Sequence, residues 1–276
     1  MAVKNILIIG KNSYIGTSFA RYAGAKFHIH TICAKDNNWR DFDFSSYDTV
    51  LHCAGIAHIA QKDKNLYYSV NCNLAVEVAK KAKAAGVGQF VFLSSMSVYG
   101  NVACEITPTT KPNPSDYYGG SKLAAEEKLS TLASSSFSVC ILRPPMVYGY
   151  GCKGNFPRLV KLAERLPVFP NIQNQRSMIY IDNLCEFICQ VVLQNKSGIH
   201  TPQNTEYVNT TELVRLINGN IRFTKIFNPF VRLFKFGAVN KLFGNLIYTK
   251  TGNEANYNIV GFENSIKASL EVGHGN

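Results

Sequence analysis

An α/β fold with a doubly wound parallel sheet and a smaller C-terminal lobe is the class this sequence predicts, and three observations predict it. Short, nearly continuous apolar runs recur through the first half, segments of helical period separate them, and glycines and prolines loosen the pattern after Arg143. A chain of 276 residues with 46% hydrophobic content is long enough for one main core and an attached lobe.

Val3 to Ile9 reads as a first strand buried on both faces, and Gly10-Lys11-Asn12-Ser13-Tyr14-Ile15-Gly16 turns from it into a helix. Within His28 to Asp36 a second strand is expected to end near Ala34 or Lys35, with Asp36 slightly late for a ribose-binding acid. Tyr47 to Cys53, Gln89 to Ser94 and Ser138 to Leu142 read as further buried strands. Between them, Leu74, Val78 and Ala82 recur at helical spacing within Asn73 to Ala85. Beyond Arg143 two helices remain legible, Pro157 to Leu166 and Ile181 to Gln194. The division expected from this pattern assigns residues 1–148, with about 176–200, to the sheet domain, and 149–175 and 201–276 to the lobe.

The eight cysteines form no Cys-x-x-Cys pair, so neither a metal site nor a dithiol motif is signalled, and buried free thiols in a reducing, cytoplasmic setting are expected. No apolar run is long enough to span a bilayer, and the N-terminus does not have the form of a cleaved signal. The net charge of +11 implies anionic partners. Nucleic acid is not expected, because no basic run is interleaved with stacking aromatics. The stretch Ile221 to Lys250 carries six basic and no acidic residues among many phenylalanines. Phe227, Phe230, Val231 and Phe234 recur there at helical spacing, for which a core-facing or homodimer-forming helix and peripheral membrane contact are the two readings.

The glycine loop follows a first strand and opens a helix, where backbone N–H groups and the helix N-terminus favour a pyrophosphate. Gly10, Ser13, Tyr14, Ile15 and Gly16 are therefore candidate dinucleotide contacts. Tyr118 and Lys122, four apart at a helix start, lie on one face. An ammonium beside a phenol favours the phenolate, giving a group that can exchange a proton with a hydroxyl while hydride moves. Ser95 lies upstream at the carboxyl end of a buried strand, the edge where open α/β sheets bind ligands.

The glycine loop, Phe90 to Gly100, the Tyr-x-x-x-Lys pair and Leu142 to Gly149 together resemble the extended short-chain dehydrogenases of the NAD-dependent epimerase/dehydratase family. The resemblance runs from Val3 to about Leu184 and implies a Rossmann sheet with a substrate-binding lobe. It implies that Tyr118 is the acid/base, that Lys122 is its partner and ribose anchor, and that Ser95 is the substrate-hydroxyl ligand. Ala54 and Gly55 line the cofactor, Pro144 and Val147 lie near the nicotinamide, and Asp43 matches an adenine-contacting acid. Asn71 matches an asparagine under the site, with helix packing as its other reading. Ser13 departs from the family's middle glycine. Asn155, Phe156 and Arg176 resemble a nucleotide-diphosphate grip, while the family's second arginine near the C-terminus is absent.

Ser95-Met96-Ser97 lacks the Thr-Asp-Glu of the sugar dehydratases, so elimination is not expected. The implied function is NAD-dependent chemistry at carbon 4 of a nucleotide-diphosphate sugar, by a UDP-hexose 4-epimerase in cell-surface polysaccharide precursor synthesis or by a reductase of a UDP-4-keto-6-deoxy sugar. Lys35 and Arg40, beside the second strand's end, keep NADP open as the cofactor. A catalytically silent dinucleotide-binding scaffold on the same fold is the reading from another class.

Overall fold

The computed structural model describes residues 3–35, 37–57, 63–100, 105–226, 228 and 243–271. In chain order its elements are β1 (Asn5–Ile9), α1 (Tyr14–Ala23), β2 (His28–Ile32), β3 (Thr49–His52), α2 (Lys64–Tyr68), α3 (Leu74–Ala84), β4 (Gln89–Leu93), β5 (Glu105–Ile106), α4 (Tyr117–Ser130) and β6 (Ser138–Leu142). There follow β7 (Met146–Tyr148), α5 (Asn155–Arg165), β8 (Val168–Pro170), β9 (Met178–Tyr180), α6 (Ile181–Leu193), β10 (Gly198–His200), α7 (Thr210–Ile217), β11 (Arg222–Thr224), β12 (Ile247–Tyr248) and α8 (Phe262–Leu270). Phe227, Phe230, Val231 and Phe234 of the basic aromatic stretch lie outside the described residues, as do Asp36 and Cys104.

Six strands form one parallel sheet in the order β10-β6-β4-β3-β1-β2. The strand order reverses between β1 and β3, which opens a crevice at their carboxyl ends, the ligand site of doubly wound sheets. Ile6 to Ile9, Val50, Leu51 and Phe90 to Phe92 are completely buried, as a parallel sheet covered on both faces requires. On one face, Leu7, Ile9, Val50, Phe90 and Phe92 pack with Val78, Ala79 and Ala82 of α3 and with Ala125 and Leu129 of α4. Alanines at these helix positions let the helices approach the sheet closely.

Two expectations shift by a few residues. β2 ends at Ile32 rather than near Ala34 or Lys35, because its partner β1 turns away at Gly10 (φ +122°), leaving the Ile32 carbonyl to accept from the amides of Gly10 (3.0 Å) and Lys11 (3.1 Å) as the last rung. α5 begins at Asn155, ahead of the Pro157 start that the periodicity marked; proline in the first turn gives up no intrahelical bond.

By compactness the chain divides into two units. The first comprises 1–101, 111–144 and 184–202 and holds the six-stranded sheet; the second comprises 102–110, 145–183 and 203–276. The second is built from three short parallel pairs, β5 with β12, β7 with β9 and β8 with β11. Asn183 ties it internally: its side-chain amide donates to Asn204, Asn258 and the Val260 carbonyl, and its oxygen accepts from Val260 N–H. No described helix is long and apolar enough to cross a membrane.

Phe90 is fully buried between β3, Phe137 and the α3–α4 face. Phe90→Ala is expected to cost about 3–5 kcal/mol. The check is a lower denaturant midpoint at an unchanged m-value.

Candidate active site

The glycine loop sits where the chain's backbones come closest. Gly10 has φ +122°, and a Cβ there would lie 2.8 Å from the Ala54 amide nitrogen, so only glycine fits. A Cβ on Gly16 would meet Ile8, the Gly10 carbonyl and Cys53 at 3.2–3.4 Å. Ser13, in place of the family's glycine, is the N-cap of α1: its oxygen accepts from Gly16 N–H at 3.3 Å. The serine therefore stabilises the helix start that a pyrophosphate would face, and among the described residues the Ile15 amide has no partner. Tyr14 and Ile15, both half-buried, open the first turn of α1. This narrow cradle, closed to any Cβ and ending on a helix N-terminus, fits a dinucleotide.

Across the switch point, Cys53-Ala54-Gly55 follow β3. A Cβ on Gly55 would lie 3.1 Å from the Asn71 side-chain oxygen and 3.2 Å from Lys122 Nζ. Asn71 is fully buried on a π-helical turn, accepts from Ile56 N–H (2.8 Å), and donates to the Ile56 carbonyl (2.9 Å) and the Ser121 hydroxyl (3.0 Å). It thus ties the loop after β3 to α4, a role that its sequence context left open between site and packing.

α4 starts at an Asp116 cap, whose carboxylate accepts from Gly119 N–H at 2.8 Å. Gly119 lies so close to the Ser97 carbonyl that no Cβ could fit, which lets the helix start press against the turn carrying Ser95. Ser95 lies two residues past β4 in extended backbone, its hydroxyl accepting from Ser97 N–H (3.1 Å) and donating to the Ser97 hydroxyl (3.2 Å), close enough to the Tyr118 phenol to influence its ionisation. Lys122 is buried; its Nζ donates to the Leu93 carbonyl at 2.7 Å and lies 4.6 Å from the centre of the Phe92 ring. The first unit thereby brings together Gly10, Ser13, Gly16, Ala54, Gly55, Ser95, Tyr118 and Lys122.

Burial is the largest influence on both groups of the Tyr-x-x-x-Lys pair. Burial raises the Tyr118 phenol above its ordinary value, the Ser95 hydroxyl opposes this, and Asp116 and Tyr67 add to the rise. Burial lowers the Lys122 ammonium to about 8, against the opposing pull of Cys53 and Glu126. His52, fully buried between Phe90 and Phe92 with neither ring nitrogen bonded among the described residues, is pushed by burial, and then by Lys122, to about 3. It is neutral.

The remaining candidates are placed as follows. Lys35 is exposed just past β2, while Arg40 pairs with Glu77 at 2.6 Å and stacks on Trp39. Asp43 is exposed, and both its oxygens accept from Ser45. Pro144 closes the first unit's middle segment, its carbonyl accepting from Met96 N–H. In the second unit Val147 lies on β7, Asn155 is exposed at the α5 start, and Phe156 is 3% exposed with its ring 5.3 Å from that of Tyr148. Arg176 pairs by backbone with Val208, and among the described residues its guanidinium bonds only the Gly244 carbonyl, at 2.9 Å. Met96, where a dehydratase acid would stand, is buried, and neither it nor Ser97 is acidic.

A glycine cradle at the switch point, with Ser95, Tyr118 and Lys122 at the end of β4, meets a match of residues 6–205 to the profile of the NAD dependent epimerase/dehydratase family. The chain belongs to that family. Among curated relatives, the UDP-glucose 4-epimerase of Vibrio cholerae is 32% identical over 77% of this chain and 74% of its own. An N-acetyl-α-D-glucosaminyl-diphospho-undecaprenol 4-epimerase of Escherichia coli is 28% identical over 67% of this chain and 62% of its own. Among solved structures, a UDP-N-acetylglucosamine 4-epimerase from Methanobrevibacter ruminantium superposes with a TM-score of 0.76 at 14% identity, covering 98% of this chain and 97% of that one. The dTDP-4-dehydrorhamnose reductase of Bacillus anthracis, solved with NADP, gives 0.71 at 18% identity, covering 98% and 99%. At such identities these structures establish the fold, a Rossmann-type sheet. As a family member the chain is an NAD(P)-dependent enzyme.

Burying the Lys122 charge costs stability. The folded value lies below the unfolded one, so the penalty is full below pH 8 and fades as the pH climbs from there toward the unfolded value near 10.5. Lys122→Met is expected to abolish turnover yet raise the melting temperature at pH 7 by a few degrees, on the order of 1–3 kcal/mol. The gap between the two proteins should close when melting is repeated at pH 8 to 10.

Proposed function

We propose that this protein is a nucleotide-sugar 4-epimerase acting on UDP-hexoses. The observation that carries the reading is the buried Lys122 on the Leu93 carbonyl at the end of β4, one helical turn along α4 from a Tyr118 phenol whose ionisation Ser95 influences. Ser95 holds the carbon-4 hydroxyl and Tyr118 takes its proton, then returns it after the sugar has turned its other face. The family's nicotinamide dinucleotide, when bound in the cradle of Gly10, Ser13 and Gly16, supplies reversible hydride transfer and a positive charge that favours the phenolate. Lys122 holds α4 to β4 and presents its remaining N–H donors toward Gly55, where a ribose hydroxyl would be anchored. In the second unit, Arg176 and Asn155 supply the diphosphate grip: one keeps guanidinium donors uncommitted, the other an amide at a helix start. The packing of Phe156 against Tyr148 makes it a support for Asn155 instead of a direct ligand.

Lys35 favours one second reading. An exposed cation just past β2 suits a 2′-phosphate, and with it a reductase consuming NADPH. Membrane contact by the stretch 221–250, or pairing of two copies through it, is also proposed; preferential sedimentation with anionic over neutral vesicles supports the first.

Incubation with UDP-glucose and with UDP-N-acetylglucosamine, without added reductant, is expected to yield the carbon-4 epimer. No epimer, together with NADPH oxidation on a UDP-4-keto-6-deoxy sugar, transfers the assignment to the reductase. Tyr118→Phe is expected to lower turnover by about a hundredfold to ten-thousandfold while dinucleotide affinity holds. Arg176→Ala should raise KM far more than it lowers kcat, read from initial rates.

A further inference from the structure

Glu126 and Arg143 form an ion pair buried to 3% and 6% side-chain exposure, unlike the open Lys26–Glu186 and Arg40–Glu77 pairs. Arg143 Nε lies 3.0 and 3.1 Å from the two carboxylate oxygens, and Nη2 is 2.5 Å from one of them. Arg143 Nη1 donates to the Tyr99 phenol at 2.7 Å, and the Ser94 hydroxyl donates to Glu126. The four residues come from the end of β4 (Ser94), the turn after it (Tyr99), α4 (Glu126) and the residue following β6 (Arg143).

The arrangement forms three rungs between one helix and one strand end. Tyr118 stands near the Ser95 hydroxyl, Lys122 bonds the Leu93 carbonyl, and Glu126, one further turn along, bonds the Ser94 hydroxyl. The first two rungs belong to the proposed chemistry. The third touches no reacting group and carries the greatest desolvation penalty, since both of its ions are buried. Stability does not require it, because apolar residues of similar volume replace buried ion pairs at little or no cost. What apolar packing lacks is direction: it lets a helix slide or rotate where a bidentate arginine and a hydroxyl do not.

We infer that the Glu126–Arg143 pair, with Ser94 and Tyr99, is a positioning device that fixes the height and rotation of α4 against β4 and so keeps the Tyr118 phenol on Ser95. The inference rests on Tyr118 as the proton carrier. A misplacement of about 1 Å at a reacting group is enough for a hundredfold loss of rate.

The test compares Glu126→Leu/Arg143→Met, Ser94→Ala and Tyr118→Phe with the wild type, on whichever of UDP-glucose and UDP-N-acetylglucosamine the wild type converts. Melting temperature, NAD affinity, KM and kcat are measured for each. The double variant is expected to melt near the wild type with KM and NAD affinity little changed, and to lose about a hundredfold in kcat. Wild-type turnover in a stably folded double variant overturns the inference, because an apolar replacement that restores only structure has then restored function. Should the double variant fail to fold, Ser94→Ala decides: about a tenfold fall in kcat at the wild-type melting temperature supports the role, and an unchanged kcat overturns it. Tyr118→Phe separates the two levels. If it remains active, the reading of the site falls; if it is inactive while the double variant is not, only the positioning role falls.

Discussion

A buried ammonium at the end of a central strand sets the terms for the first unit. Lys122 is 4% exposed, and a charge so placed needs partners on every side. The Leu93 carbonyl, the face of Phe92 and the negative charge of Glu126 supply them. To reach Leu93, α4 must lie close against β4 and against the turn after it. That explains Gly119 at the contact with Ser97, and the alanines that α3 and α4 present to the sheet. Even His52 follows from it: beside a buried cation, in an aromatic slot, it remains a neutral ring.

The second constraint is topological. Because the strand order reverses between β1 and β3, the loops after those strands diverge and leave a crevice, and both are built for close approach. Gly10 comes within van der Waals range of the backbone after β3, and the loop there is held from below by Asn71, which in turn holds Ser121 of α4. The loop after β3 and the helix that carries Tyr118 are thus coupled through one asparagine, not assembled independently.

Much of this was legible in the sequence because it is carried by local spacing. The buried strands announce themselves as apolar runs, the glycine loop by its place after the first of them, and Tyr118 with Lys122 by one helical turn. What was not legible depends on contacts between distant segments. Glu126 and Arg143 are 17 apart in the chain, and each reads alone as an ordinary surface charge. β5 and β12, two residues each and paired across more than a hundred others, are too short for any periodicity. The partner of Lys122 belongs to the same class: spacing placed the ammonium one turn from Tyr118, but the Leu93 carbonyl it bonds lies on a strand 29 residues away.

The division between epimerase and reductase turns on a different part of the molecule from the chemistry. Ser95 and Tyr118 can take a proton from a sugar hydroxyl or give one to a sugar ketone, so the pair serves either direction equally. An epimerase must keep its dinucleotide through both half-reactions, whereas a reductase must exchange it after each. Retention depends on the cradle. Ser13 caps α1 and fixes the first turn, and Gly10 pins the loop to the backbone after β3, both of which reduce the ordering that binding would otherwise require. Arg40, held by Glu77 and Trp39, is drawn away from service as a phosphate ligand and leaves Lys35 to act without it. A pyrophosphate loop ordered before binding suits a dinucleotide kept through both half-reactions and so argues for the epimerase, while the exposed Lys35 is the feature that argues for the reductase.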